Sequence, residues 1–324
     1  MNPRAVTRRK KAPLAADLLR MPVTRDIVIA DFGRDASLEY LRLVSRREKR
    51  LIEGVLAPEG HAFFDEYRRV MHTVVGDLAF LKETALERSA KNPGYLKGDI
   101  LIGTGPWPRP GVFFQKLARL AVQQALLAMD RGPGRVRVVI PCNTLSDEAK
   151  RLDHALGSAR ELRKRLGPRF LSRSRARKIA AAGIRAFAPP EAVIRRLAEN
   201  GSPGKPLNLL VLGARGARAV YEKLAAFRGL HVTPLENRHD DLIRQTIVAS
   251  IGNRRERLDL CRRRLIHEII EPRKKRLGSL VVLEARTDFR LGLGPSSLEI
   301  FADAMTSDAY GGMGADAAMP SLHV

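Results

Sequence analysis

The feature that most constrains this chain is an alternation of short, continuous apolar runs with stretches of helical spacing. Val136-Arg-Val-Val-Ile140, Leu207-Asn-Leu-Leu-Val-Leu212 and Leu280-Val-Val-Leu283 are too short for helices and too evenly apolar for strands with one wet face. Apolar residues recur at helical spacing over Val112 to Met129, Ala217 to Phe227, Asp241 to Ile251 and Ser297 to Ala309. Strands apolar on both sides and joined through helices form parallel sheets covered on both faces. An α/β fold is expected.

The pattern runs twice. Ile100-Leu-Ile-Gly-Thr-Gly105 parallels Leu210-Val-Leu-Gly-Ala-Arg215, and Val138-Val-Ile-Pro-Cys-Asn-Thr144 parallels Val281-Val-Leu-Glu-Ala-Arg-Thr287. Two pseudo-symmetric lobes, each a parallel sheet flanked by helices, would face one another across a cleft at the carboxyl ends of their strands. Ahead of them, Asp26-Ile-Val-Ile-Ala-Asp-Phe-Gly33 reads as a strand and turn, Ser37 to Val55 as a helix, and Phe63 to Leu86 as a long amphipathic helix. The Lys91-Asn-Pro-Gly-Tyr95 turn closes this region. The expected organisation is a basic arm and mainly helical N-terminal extension over 1–97, a first lobe over 98–205 completed by 290–324, and a second lobe over 206–289. The extension would cap the cleft or build a homodimer.

Charge and cysteine content narrow the classes. Lys and Arg number 58 against 35 Asp and Glu, so the formal charge is +23 and anions of every kind are attracted. No apolar run approaches the roughly 20 residues of a membrane span, and the N-terminus lacks the apolar core of a secretory signal. The expectation is a cytoplasmic protein with no membrane contact. Arg4, Arg8, Arg9, Lys10 and Lys11 precede the first acid, Asp17, and read as a mobile arm, with Met21 as an alternative start. Two cysteines cannot build a disulfide framework, and C-x-x-C and H-E-x-x-H are absent, so no metal is expected. Gly213-Ala-Arg-Gly216 reads as a plain strand-to-helix turn, and His231 and His239 lack ligand spacing.

The basic runs Arg160 to Lys178 and Arg254 to Arg276 read as solvated helix faces. Phosphate contact is the lesser alternative, because aromatics are 5% of residues and no RRM, KH or zinc-finger signature appears.

Cys142 stands out on its own chemistry. It follows the run Val138-Val-Ile140 and is trailed by Asn143, Thr144, Ser146 and Asp147, so a strand-end thiol would sit among turn donors. A helix starting near Asp147 would favour the thiolate, the form that acts as base or nucleophile. Buried cysteine that merely fills space is the competing reading.

Pro141-Cys142-Asn143-Thr144 resembles the P-C-N-T-A-H signature of the aspartate/glutamate racemase superfamily, whose members include hydantoin racemase, maleate isomerase and arylmalonate decarboxylase. Ile100 to Pro106 with Phe113-Phe-Gln-Lys-Leu117 is similar to the family's opening strand, turn and first helix. Leu210 to Arg215 with Tyr221 and Val232-Thr-Pro234 is similar to the start of its second lobe, and Leu298 to Ala304 resembles its closing helix. The resemblance implies a cofactor-independent enzyme, using neither PLP nor metal, that acts on a small carboxylate in the interlobe cleft. It makes Cys142 the catalytic acid/base and Thr104, Asn143, Thr144 and Thr287 substrate contacts.

One position departs from the family. Where the family writes G-C-T-E, this chain has Ala285-Arg286-Thr287-Asp288, so Arg286 replaces the second cysteine, and Ser146 replaces the motif's His. Arginine is a poor proton acceptor and a good bidentate partner for a carboxylate. The implied function is a racemase or isomerase with a single cysteine. The alternatives are a non-catalytic binder of acidic metabolites or, as the lesser one, a nucleic-acid-binding protein.

Overall fold

A computed structural model of the chain describes residues 20–29, 35–56, 68–75, 110–199, 207–213, 215–251, 255–285 and 291–311. The strands are β1 (Thr24–Ile29), β2 (Val70–Val75), β3 (Arg135–Val139), β4 (Arg185–Phe187), β5 (Asn208–Leu212), β6 (His231–Val232) and β7 (Val281–Glu284). They form two wholly parallel sheets, ordered β2-β1-β3-β4 and β6-β5-β7. In each sheet the first strand in sequence lies between the second and the third, so β1, β2 and β3 correspond to β5, β6 and β7.

Period-two alternation sorts every strand between layers. Ile27, Ile29, Val136, Val138 and Ile140 enter a core on the outer side of the first sheet, whereas Val28 and Val139 point the other way. Leu209, Val211, Val281 and Leu283 join Val28 and Val139 in a shared central core, and Leu210, Leu212, Leu280 and Val282 enter a third core outside the second sheet. Helix α1 (Asp35–Leu56) covers the central side of the first sheet with Tyr40 and Val44. Helices α2 (Pro110–Asp130), α3 (Ser146–Leu156), α4 (Ala159–Leu166) and α5 (Arg173–Ala181) cover its outer side. The central layer also holds α6 (Pro189–Glu199) and α7 (Arg215–Ala226). Outside the second sheet lie α8 (Asn237–Ile251), α9 (Arg255–Arg264), a π-helical segment Leu265–Ile270, and α10 (Glu271–Leu277).

The C-terminal helix α11 (Ser297–Ala309) spans the span expected from sequence and is buried along most of its length between α1 and α6. Ser296 caps it by accepting from the Leu298 N–H, and the Glu299 carboxylate accepts from the Ser296 N–H. Its buried Asp303 pairs with Arg47 of α1 and Arg196 of α6. At its far end Arg137 of β3 donates to the Met305 carbonyl and to Asp308, both at 2.8 Å. The same guanidinium holds Asp26 of β1 through two bonds of 2.7 and 2.9 Å. A second buried carboxylate, Glu48 of α1, accepts from the Val70 N–H, the Tyr310 hydroxyl and Arg68.

Two expectations change here. Residues 70–75, expected inside a long helix over 63–86, form a strand, because Val-Met-His-Thr-Val-Val is rich in β-branched residues whose side chains suit a pleated surface. The rest of that expected helix lies outside the described residues. The strand expected at 99–103 is also outside them, and the position beside β3 that an opening strand would take is held by β1. Residues assigned from sequence to the N-terminal extension thus include two strands of the first sheet as well as the helix α1.

Two predictions follow from the buried charges. Arg137→Met leaves Asp26 charged and unpaired and should lower the unfolding free energy by about 3–5 kcal/mol, whereas Asp26→Leu combined with Arg137→Met should recover most of it; denaturant titration of the three variants measures both. His72, on β2 beside Asp26, is pushed down from 6.5 to about 4, chiefly by burial and against the pull of Asp26. The unfolded chain binds that proton near pH 6.5 and the folded one resists it. Stability should therefore rise by on the order of 3 kcal/mol between pH 4 and 6.5, a slope that His72→Leu removes.

Candidate functional site

The strand β3 ends in Ile140-Pro141-Cys142, and the Cys142 N–H donates to the Ile140 carbonyl at 2.7 Å, closing a three-residue turn over Pro141. A 3-10 turn, Asn143–Leu145, follows and passes directly into α3. Cys142 is half-buried in extended conformation at the head of that turn, packed against the outer core of the first lobe. It is in no disulfide. The positive end of α3 faces this turn, with Asp147 and Glu148 in its first turn; burial raises the Glu148 carboxyl, helped by Asp147.

Asn143 is the residue that closes the cleft. Its amide nitrogen donates to the Ala285 carbonyl at 2.9 Å and to Ser297 Oγ at 3.1 Å, and its amide oxygen accepts from the Tyr221 hydroxyl at 2.7 Å. One side chain of the first lobe thereby holds the end of β7, the helix α7 and the first residue of α11. Burial pushes the fully enclosed Tyr221 phenol well up, so it remains a hydrogen-bond donor. Both amide hydrogens of Asn143 are engaged within the protein, and the side chain joins the lobes.

The second lobe presents a matching rim. Gly213 at the end of β5 lies against Ala285, where an added Cβ would come within 3.1 Å of the Ala285 side chain. Buried Glu284 accepts from the Leu291 and Leu293 N–H groups, the latter at 2.8 Å, while its own N–H donates to the Pro295 carbonyl. Gly294 permits this return, because a Cβ there would lie 1.8 Å from the Val282 carbonyl oxygen. Burial raises the Glu284 carboxyl, against the N–H groups that bind it. The chain leaves at Ala285 and comes back at Leu291 with both ends fixed to one carboxylate.

Of the residues singled out from sequence, Cys142 and Asn143 stand together at the end of β3, and Thr144 is in the 3-10 turn beside them. Thr104, Arg286 and Thr287 lie outside the described residues, although the neighbouring Ala285 is in contact with Asn143. Cys261 is buried in the outer core of the second lobe. Ser146, in the motif's His position, is buried with its hydroxyl unpartnered. Glu284 and Ser297 were not expected. An acid at the end of an apolar strand is a readable anomaly, whereas Ser297 gives no local signal. Among the described residues no three His, Cys, Asp or Glu side chains converge as a metal site, and no helix is long and apolar enough to cross a membrane.

No family model matches the chain, and neither does any curated protein. A crystal structure from Yersinia pestis, of a protein provisionally named an Asp/Glu racemase, matches with a TM-score of 0.50 over 89% of this chain and 99% of that one, at 12% identity. The chain shares the racemase fold with that structure: parallel sheets flanked by helices.

Asn143→Leu removes the donors and acceptor that join the lobes and strands three buried partners. It should cost on the order of 3 kcal/mol, against about 1 kcal/mol for Tyr221→Phe, which deletes one bond and leaves the Asn143 oxygen a partner short. Urea titration of both variants reads the difference.

Proposed function

We propose that this protein is a cofactor-independent racemase or isomerase acting at the carbon next to a carboxylate of a small amino or dicarboxylic acid, with Cys142 as its single acid/base. The observation that carries the reading is the half-buried Cys142 at the carboxyl end of β3, on a turn whose next residue is bonded to the opposite lobe at Ala285. That placement supports a substrate held between the lobes, and the fold shared with the Yersinia pestis protein supports the same chemistry class.

In this reading the Cys142 thiolate removes the α-proton and becomes a thiol, and the electron pair left on carbon is delocalised into the adjacent carboxylate. Thr144, Thr287 and Thr104 are the proposed donors to that charge, and Asn143 acts by positioning the turn. Arg286, always protonated, would bind the carboxylate in place of a second thiol. Return of the proton by Cys142 to the same face gives exchange. Inversion needs a second proton donor on the other face. For a malonic acid, carbon dioxide leaves with no proton removed, its bonding pair stays on carbon, and the Cys142 thiol supplies the proton.

The replaced second cysteine favours one other reading, a protein of this fold that binds acidic metabolites without turnover. Incubation with amino, malonic and maleic acids in deuterated water separates the two. Solvent deuterium should enter the product carbon, and Cys142→Ala should slow its entry by at least about 100-fold. Entry unchanged in the variant would sink the mechanism. No entry with any acid, together with a raised melting temperature, would establish the binding reading.

A further inference from the structure

The basic run 160–178 folds into α4 and α5, and its cations converge on one concave site. A cavity of about 620 Å³ is lined by Arg160, Arg163, Lys164, Arg173 and Arg177, with only Ala159 and Pro168 between them. Helical spacing explains the convergence. Arg160, Arg163 and Lys164 lie at i, i+3 and i+4 on α4, Arg173 and Arg177 at i and i+4 on α5, and Leu162, Leu166, Ala176 and Ile179 take the opposite faces into the core.

Nothing in the protein neutralises this cluster. The one acid of the run, Glu161, is paired with Arg165, and Lys178 is paired with Asp130. None of the five lining cations forms an ion pair with a described residue. Arg163 is held in place by a 3.4 Å bond from Nε to the Leu171 carbonyl. Five like charges around a single concavity repel one another, and an anion that bridges them relieves that repulsion.

We propose that the groove between α4 and α5 binds the phosphodiester backbone of a nucleic acid without reading its bases. Guanidinium groups suit phosphate oxygens through paired N–H bonds. The lining has no aromatic side chain on which a base could stack, so recognition is confined to phosphate. The cations also continue past the cavity, with exposed Arg169 in the connecting loop and exposed Arg175 on α5, an array longer than one small anion would occupy. The site lies on the outer helical layer of the first lobe and does not depend on the reading of Cys142.

The test titrates the full chain into a labelled mixed-sequence single strand of about 20 nucleotides across a salt series, read by fluorescence anisotropy. Two triple variants remove the same charge: Arg160→Gln with Arg173→Gln and Arg177→Gln in the groove, and Arg255→Gln with Lys274→Gln and Lys275→Gln on α9 and α10. All six positions are exposed, so both variants should fold. Losing three phosphate contacts should flatten the salt slope by about 2, an about 100-fold loss at 0.1 M salt, equally for unrelated sequences, whereas the control should change it less than about threefold. Equal weakening by both variants, or absence of salt-dependent binding in the wild type, would overturn the proposal. So would displacement of the strand by inorganic tripolyphosphate at matched phosphate concentration, which would make a compact polyphosphate the ligand.

Discussion

The guanidinium of Arg137 is the fixture on which the architecture around the cleft depends. It is almost wholly enclosed, and each of its bonds runs to a different part of the chain: Asp26 on β1, the Met305 carbonyl and Asp308 on α11. Two charges withdrawn from water add little net stability over an apolar pair of equal volume, but a planar fork accepts few arrangements of partners. Here it sets β1 against β3 and fixes where α11 ends. The other end of α11 brings Ser297 to Asn143. The distance between the two lobes at the Cys142 turn is thus set by a helix anchored at both ends.

Charge is handled in opposite ways in the two layers around the first sheet. In the central layer the buried ions are grouped and satisfied: Asp26 with Arg137, Asp303 with Arg47 and Arg196, Glu48 with Arg68 and the Tyr310 hydroxyl. On the outer layer α4 and α5 leave five cations facing one another. The first arrangement fixes geometry inside the protein, and the second leaves attraction for something outside it.

Local pattern made much of this legible. The apolar runs at 136–140, 207–212 and 280–283 became β3, β5 and β7, and the closing helix was readable to its ends because Ser296 and Glu299 form a capping pair. Cys142 was readable because a strand-end thiol among turn residues is unusual. What escaped the sequence was pairing between distant segments. The place of β1 at the heart of the first sheet rests on Asp26 meeting Arg137, 111 residues away. β2 was mistaken for a helix because six half-exposed residues on an edge strand carry a weak period that neighbouring apolar residues blur. Asn143 looked like a ligand contact, and only the folded chain shows its amide engaged by Ala285, Ser297 and Tyr221.

The clamp made by Glu284 separates the strand from what is attached to it. Because Ala285 and Leu291 are anchored at one point, the five residues between them can be exchanged or lengthened while β7 and α11 keep their places. Such an arrangement gives the cleft a replaceable cassette, through which a lineage can move to a new acid while its scaffold stays constant.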